Sequence, residues 1–222
     1  MKNTTMHFSQ RKIKKNYRSI TGHFPSIKNN TSIGFESKLE KAHFLSLEFD
    51  NEVISYQEQP QIKIYINGQD KIYSADCYIK RTKTSLKKDS IVEVKYTNEI
   101  EKRKEYFEKK FESAKTSANK LNLDFEVYTE KIHSETYLDN LDFLYRYKLQ
   151  PIENKYEVQM LKILNKKNKI SAFDLANLVS ENPIEYGLIS NCIWDLVCKE
   201  KLKTNLELSK ITMNSLVELS YE

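Results

Sequence analysis

The sequence predicts an α/β protein in which a mixed sheet is flanked by helices and followed by a smaller, mainly helical C-terminal domain. Two observations indicate this fold class. Between residues 90 and 128, a strand, a long amphipathic helix and a second strand follow one another with the spacing of a parallel crossover unit. Beyond residue 150 the pattern changes to short helices. The chain of 222 residues is long enough for both domains.

Residues 1–34 are expected to form a basic N-terminal arm. They contain seven Lys or Arg residues and no acid, whereas the whole chain carries a net charge of only +5. The positive excess therefore lies entirely in this segment, which suits a grip on phosphate or on an acidic partner. A solubilising tail explains the same charge equally well. Within the segment, Ser19–Ser32 contains Gly, Pro and Asn and is typical of an irregular lead-in.

A helix should follow this lead-in, with Thr31 or Ser32 as its cap. Glu36 and Glu40, four residues apart, would then share one face of the helix. A solvated helix flank is the ordinary explanation of such a pair. The apolar positions that recur at helical spacing are Phe35, Leu39, Ala42, Leu45 and Phe49.

The next segment predicts a β-hairpin. Gln61–Ile66 alternates between apolar and polar residues, and Asn67-Gly68 is a typical two-residue hairpin turn. The returning chain leads into a strand over Tyr73–Ile79. Asp76 lies in this strand and is expected near its end.

The strand Ser90–Tyr96 carries the pattern on which the functional interpretation depends. Alternation along it places Glu93 and Lys95 on one face. Asp76 would face Glu93 across a hairpin-like pair, so two carboxylates and an amine would converge. Oxygen ligands of this kind suit Mg²⁺, and a neighbouring ammonium can orient water or balance charge on a phosphate. For Glu-x-Lys alone, an edge strand with solvated side chains is the more common explanation.

The remaining elements complete the two domains. A long amphipathic helix begins after Thr97, a strand follows at Leu123–Tyr128, and a helix over Tyr137–Tyr147 should close the first domain. The predicted domain boundary lies near Gln150-Pro151.

The C-terminal part has the order of a winged helix-turn-helix domain, in which three helices precede a two-stranded ribbon. Its net charge is slightly negative, which favours docking to a protein over sequence-specific DNA reading. The predicted helices are Tyr156–Lys166, Ser171–Val179 and Pro183–Glu200, and the extended pieces are Lys201–Leu206 and Ile211–Leu219.

Several classes of protein are disfavoured by composition. Cys77, Cys192 and Cys198 are unevenly spaced and include no Cys-x-x-Cys pair, so they indicate buried thiols rather than disulfides or a zinc site. No apolar run approaches the length of a membrane span, and the N-terminus lacks a signal-peptide core. A cytoplasmic location without membrane attachment is therefore expected.

An ordered series of short motifs resembles the TnsA endonucleases of heteromeric bacterial transposases. The resemblance covers roughly residues 19–149, and the order and spacing of the motifs carry it, because the Asp and Glu-x-Lys core is shared by many restriction-type nucleases. The series is Ser19-x-x-Gly22-x-Phe24-Pro25-Ser26, Phe35-Glu36-Ser37-x-Leu39-Glu40, Phe44-Leu45-Ser46-Leu47-Glu48-Phe49-Asp50, Tyr56-x-Glu58-Gln59-Pro60, Asp76, Val92-Glu93-Val94-Lys95, Phe125-x-Val127-x-Thr129-Glu130 and Asn140-Leu141.

The resemblance implies a restriction-endonuclease-like domain of the PD-(D/E)xK superfamily over residues 35–150. A winged-helix-like domain over residues 151–222 would follow. The implied reaction is hydrolysis of DNA phosphodiester bonds with Mg²⁺, for which Mn²⁺ can substitute. The implied catalytic residues are Glu40, Asp76, Glu93 and Lys95, and the implied metal ligands are Glu40, Asp76, Glu93 and the Val94 carbonyl.

Three positions of the sequence bear on how closely it follows the family pattern. Ala75 stands where a Pro often precedes the Asp, so the turn is expected to differ while the chemistry is retained. Glu93 stands where some relatives have Gln, which strengthens the metal-site interpretation. Glu36 competes with Glu40 for the helix position, and we rank it second because only Glu40 matches the family's place.

The resemblance also implies the biological setting. The protein would cut the 5′ ends of a transposon, while a TnsB-like transposase cuts and joins the 3′ ends. A TnsC-like AAA+ ATPase is the partner expected to engage the C-terminal part. Two alternatives remain open, namely a stand-alone restriction or repair nuclease with the same core and a catalytically inactive winged-helix adaptor.

Overall fold

The computed structural model describes residues 6–8, 20–150 and 152–220. The chain divides into two compact units, Met1–Ile132 and His133–Glu222. None of the described helices is long and apolar enough to span a membrane. The expectation of unpaired, buried cysteines is confirmed for all three residues.

The first unit combines nine strands with three helices within the described residues. The strands are β1 (His7–Phe8), β2 (Gly22–Ser26), β3 (Thr31–Phe35), β4 (Val53–Glu58), β5 (Pro60–Ile66), β6 (Gln69–Ser74), β7 (Cys77–Arg81), β8 (Ser90–Val94) and β9 (Asp124–Tyr128). The helices are α1 (Lys38–Phe49), α2 (Thr97–Lys102) and α3 (Lys104–Lys120).

The main sheet of this unit has four strands in the order β4-β7-β8-β9. Strand β8 pairs antiparallel with β7 and parallel with β9, so the sheet is mixed as predicted. The parallel pair is joined through α2 and α3, which confirms the crossover unit. All five residues of β8 are buried, and for this reason a charged side chain on it must find partners inside the protein.

The predicted hairpin is also confirmed. Strands β5 and β6 pair from Gln61 to Ile66, and both turn residues have positive φ, 53° at Asn67 and 78° at Gly68. Asn and Gly tolerate this backbone conformation, which explains why the two-residue turn forms here. Helix α3 packs on β5 and β9.

The predicted strand over Tyr73–Ile79 is instead two strands. The chain leaves β6 at Ser74 and enters β7 at Cys77, and these strands belong to different sheets. At the junction the Ala75 amide still donates to the Pro60 carbonyl, whereas the Asp76 amide donates to the Val92 carbonyl. Asp76 therefore lies at the point where the chain changes from one sheet to the other.

Most of the predicted basic arm before residue 20 lies outside the described residues, but from Gly22 onward the segment predicted as an irregular lead-in forms a hairpin. Strands β2 and β3 pair antiparallel over five residues, and Asn30 at the turn has a φ of 51°. Because β3 occupies residues 31–35, neither Thr31 nor Ser32 can cap the helix. The cap is Ser37, whose side chain accepts a hydrogen bond from the Glu40 amide at 3.0 Å.

The described residues of the second unit form four helices and a small sheet. Its elements are α4 (Glu135–Leu149), α5 (Glu157–Lys167), β10 (Lys169–Ser171), α6 (Ala172–Val179), α7 (Tyr186–Cys198), β11 (Leu202–Lys203) and β12 (Leu216–Leu219). The three strands pair in the order β10-β12-β11. Helix α4 was expected to close the first domain, but it packs against α7 and belongs to the second unit.

Asn140 joins α4 to the loop between β11 and β12. Its side-chain amide donates to the carbonyls of Leu206 and Ser209 at 2.8 and 2.9 Å, and its Oδ1 accepts from the Ile211 amide at 2.9 Å. Asn140 is 2% exposed, so water cannot replace these bonds after truncation.

We expect Asn140→Ala to lower the free energy of unfolding by about 2–3 kcal/mol, because buried backbone groups lose their partners. Urea denaturation of the purified protein measures this change. Exposed Asn165 on α5 provides the matched control, since Asn165→Ala should shift the midpoint little. Equal shifts for both variants would contradict the anchoring role of Asn140.

Candidate active site

Asp76 is held against the end of β8 by two hydrogen bonds. Its backbone amide donates to the Val92 carbonyl at 3.0 Å, and its Oδ2 accepts from the Val94 amide at 2.7 Å. The carboxylate is thereby fixed beside the Glu-x-Lys segment. The short connection between β6 and β7 thus brings together residues that are 18 positions apart in sequence.

Glu93 lies in β8 and is only 4% exposed. Its Oε2 accepts a hydrogen bond from the Tyr73 hydroxyl, and its Oε1 lies 3.2 Å from the ammonium of Lys110. Tyr73 belongs to β6 and Lys110 to α3. Both oxygens of Glu93 therefore already have partners inside the protein.

Lys95 follows the last residue of β8 and is half-buried. Its backbone amide donates to the Tyr128 carbonyl at 3.0 Å, which continues the pairing with β9 by one residue. This bond fixes the backbone from which the Lys95 side chain extends.

Glu40 lies in the first turn of α1 and is 7% exposed. Its Oε1 accepts from the Ser37 hydroxyl at 3.3 Å, and its Oε2 accepts from the Glu36 amide at 3.2 Å. With the bond from the Glu40 amide to Ser37, this is a capping arrangement that also places a negative charge at the helix N-terminus. Glu36 precedes the helix, so the predicted shared helical face of Glu36 and Glu40 is wrong.

The electrostatics of Asp76 show that the four predicted residues share one neighbourhood. The pKa of Asp76 is raised to about 7. Burial is the largest cause, and the charges of Glu93 and, less strongly, of Glu40 act in the same direction. The Val94 amide and the Lys95 ammonium act in the opposite direction. Burial and the adjacent Glu93 carboxylate also raise the pKa of the Tyr73 hydroxyl, which stays a proton donor to Glu93.

The donor chemistry of this site fits a hard divalent cation. Three carboxylates repel one another in a buried position, and Mg²⁺ both prefers oxygen ligands and would relieve that repulsion. Among the residues that the structure describes, however, no three His, Cys, Asp or Glu side chains are already arranged to hold a metal ion. The oxygens of Glu40 and Glu93 are directed to protein donors instead. That the Val94 carbonyl binds metal stays a prediction.

Two residues at the site were not found from the sequence. Lys110 and Tyr73 both contact Glu93, and the Lys110 ammonium also lies 4.6 Å from the centre of the Tyr73 ring. A signal for Lys110 was present, because it stands at helical spacing between Phe107 and Ala114 on the buried stripe of α3. A lysine on an apolar stripe indicates an acidic partner in the core.

Comparison with known protein families finds one that part of the chain resembles. Residues 50–130 match the family described as TnsA-like endonuclease N terminal. This segment is similar to the TnsA-like endonucleases. The match confirms the resemblance seen in the motifs, and it supports a nuclease role in transposition.

The TnsA-like segment contains three of the four predicted catalytic residues, Asp76, Glu93 and Lys95. Glu40 precedes it in sequence, but the structure brings α1 against β8, in the same unit. No curated protein matches the chain.

Proposed function

We propose that this protein is the Mg²⁺-dependent endonuclease subunit of a heteromeric transposase, which cleaves the 5′ ends of a transposon during cut-and-paste transposition. The observation that carries this proposal is the position of Asp76, whose Oδ2 accepts a hydrogen bond from the Val94 amide, between Glu93 and Lys95 in sequence. Glu93 is paired with the Lys110 ammonium, but Asp76 and Glu40 add two further acids to the same neighbourhood, beside Lys95. Such perturbed clusters are characteristic of functional sites.

Each residue has a distinct role in the proposed reaction. Asp76, Glu93 and Glu40 would hold the ion, and Asp76 is positioned for this by its bond from the Val94 amide. Bound Mg²⁺ supplies a Lewis acid for the scissile phosphate and lowers the pKa of water. The Lys95 ammonium would orient the attacking water and balance negative charge that develops on the phosphate.

The second unit is proposed to be a winged-helix-like domain that docks to a partner protein. The order helix, strand, helix, helix, strand, strand from α5 to β12 supports this assignment. Helix α7 takes the place of a recognition helix, yet it contains no Lys or Arg. A helix without cations is poorly suited to a phosphate backbone.

Apolar side chains on and near α6 and α7 support protein docking instead. Phe173, Leu178, Ile184 and Leu188 are all exposed, and Ile184 is 89% exposed. Exposed apolar groups of this size are typical of surfaces that another protein covers. We propose a TnsC-like AAA+ ATPase as this partner and a TnsB-like transposase as the enzyme that acts on the 3′ ends.

The test is reconstitution on end-labelled transposon DNA with candidate TnsB-like and TnsC-like partner proteins. Cleavage at the 5′ ends should require all three proteins and Mg²⁺, and chelation with EDTA should abolish it. Robust cleavage of plain plasmid DNA by the isolated protein would favour a stand-alone nuclease. The absence of any cleavage, together with no metal binding dependent on Asp76, would favour an inactive adaptor.

A further inference from the structure

The contact between Lys110 and Glu93 places a cation where the proposed function requires a metal ion. Lys110 Nζ lies 3.2 Å from Glu93 Oε1, and the lysine side chain is 18% exposed. The ammonium also lies near two aromatic rings, 4.6 Å from the centre of the Tyr73 ring and 5.8 Å from the centre of the Phe107 ring. This is a fixed, mostly buried ion pair rather than a mobile surface contact.

The ion pair has a clear role in the protein without metal. Buried Glu93 and partly buried Asp76 carry carboxylates that repel each other, and the Lys110 ammonium balances the charge of Glu93. A divalent cation bound by Glu93 would perform the same task. The ammonium and the metal ion cannot both occupy the position beside Glu93 Oε1, because like charges repel strongly at such short distances in a buried site.

A cavity next to the pair can receive a displaced lysine. Lys110 and Tyr73 line a space of about 410 Å³ between the β5–β6 hairpin and α3. Glu105, one helical turn and a half before Lys110 on α3, also lines it and offers a carboxylate, together with the exposed side chains of Lys71 and Lys109. A change of rotamer would therefore move the ammonium from one acidic group toward another without unfolding α3.

We propose that Lys110 is a placeholder cation, which neutralises Glu93 in the metal-free protein and is displaced into this cavity when a divalent ion binds. This inference rests on the proposed function, because it assumes that Glu93 is a metal ligand. It accounts for the absence of a ready metal-binding arrangement among the described carboxylates. Lys110 is thus a positioning residue that is separate from Lys95.

The test measures the affinity of the full chain for Mn²⁺, by calorimetry or by the electron paramagnetic resonance of free Mn²⁺. Lys110→Met should bind Mn²⁺ about tenfold more tightly than the unmodified protein, because the competing charge is removed. Lys110→Arg keeps the charge and should bind no more tightly than the unmodified protein. Lys115→Met removes an exposed charge from the same helix and should change the affinity less than about twofold.

Equal or weaker binding by folded Lys110→Met would overturn the placeholder role. If that variant fails to fold, Lys110→Gln replaces it, since Gln can still donate to Glu93 without carrying a charge. Asp76→Asn separates the two proposals. Mn²⁺ binding that Asp76→Asn leaves unchanged would overturn the metal centre itself, whereas Asp76-dependent binding that Lys110→Met leaves unchanged would overturn only the placeholder.

Discussion

Asp76→Asn is expected to reduce 5′-end cleavage by the reconstituted transposase at least about 100-fold. The substitution removes the negative charge with which Asp76 would bind the proposed divalent ion. The Asn side chain keeps a carbonyl oxygen, so it can still accept the hydrogen bond from the Val94 amide that fixes this junction. The loss should therefore appear in the chemical step rather than in folding, and denaturing gels of end-labelled DNA measure it.

Two further variants locate the cause of that loss. Asp70→Asn makes the same chemical change at an exposed position of β6 and should retain full cleavage. Lys95→Ala leaves all three carboxylates in place, so it should lose cleavage while Mn²⁺ binding persists. Full cleavage by Asp76→Asn would remove this residue from the active site, and lost Mn²⁺ binding by Lys95→Ala would assign Lys95 to the metal centre instead.

The parts of the fold that sequence reasoning predicted correctly are those determined by local patterns. Asn67-Gly68 specifies its hairpin turn through the backbone conformation that these two residues tolerate. The parallel pair of β8 and β9 follows from a strand, a long helix and a strand in succession.

The N-terminal hairpin was missed because its stability comes from contacts that are distant in sequence. Glu48, 1% exposed on α1, accepts hydrogen bonds from the Ser26 hydroxyl at 2.6 Å and from the Tyr56 hydroxyl at 2.8 Å. These bonds attach the end of β2 to α1 and β4. The local composition is rich in Gly, Pro and Asn and therefore indicates a loop. It does not indicate hydrogen bonds to residues as distant in sequence as Glu48.

The same limitation explains the position of α4. The helix itself was predicted, and its Leu141 and Leu144 are fully buried. An amphipathic pattern shows that a helix covers a core, but it does not show which core. In the structure that core includes α7. Likewise, the sequence presented Asp76 and Glu93 as candidate ligands, but only the packing of α3 reveals that Lys110 competes for one of them.

The metal-free protein is expected to lose stability as the pH rises from about 4 to about 7, and Asp76 is the group responsible. Its pKa in the folded protein is raised to about 7 from an ordinary value of 3.8. The folded state consequently retains the Asp76 proton over a range in which the unfolded chain releases it. The stabilisation is fully present below pH 4 and is lost as the pH passes through the folded pKa.

The loss of stability across this range follows from the raised pKa of Asp76 in the folded protein. Urea denaturation in EDTA at several pH values between 4.5 and 7.5 measures it, with Asp76→Asn as the reference that lacks the titrating group. The difference between the two proteins should grow with pH in favour of the variant. Parallel profiles would show that Asp76 ionises normally.

Added Mg²⁺ should restore the stability of the unmodified protein but not of Asp76→Asn, because an ion that binds only the folded, ionised carboxylate shifts folding toward that state. Binding of the proposed metal ion and protonation would thus each neutralise the charge of Asp76.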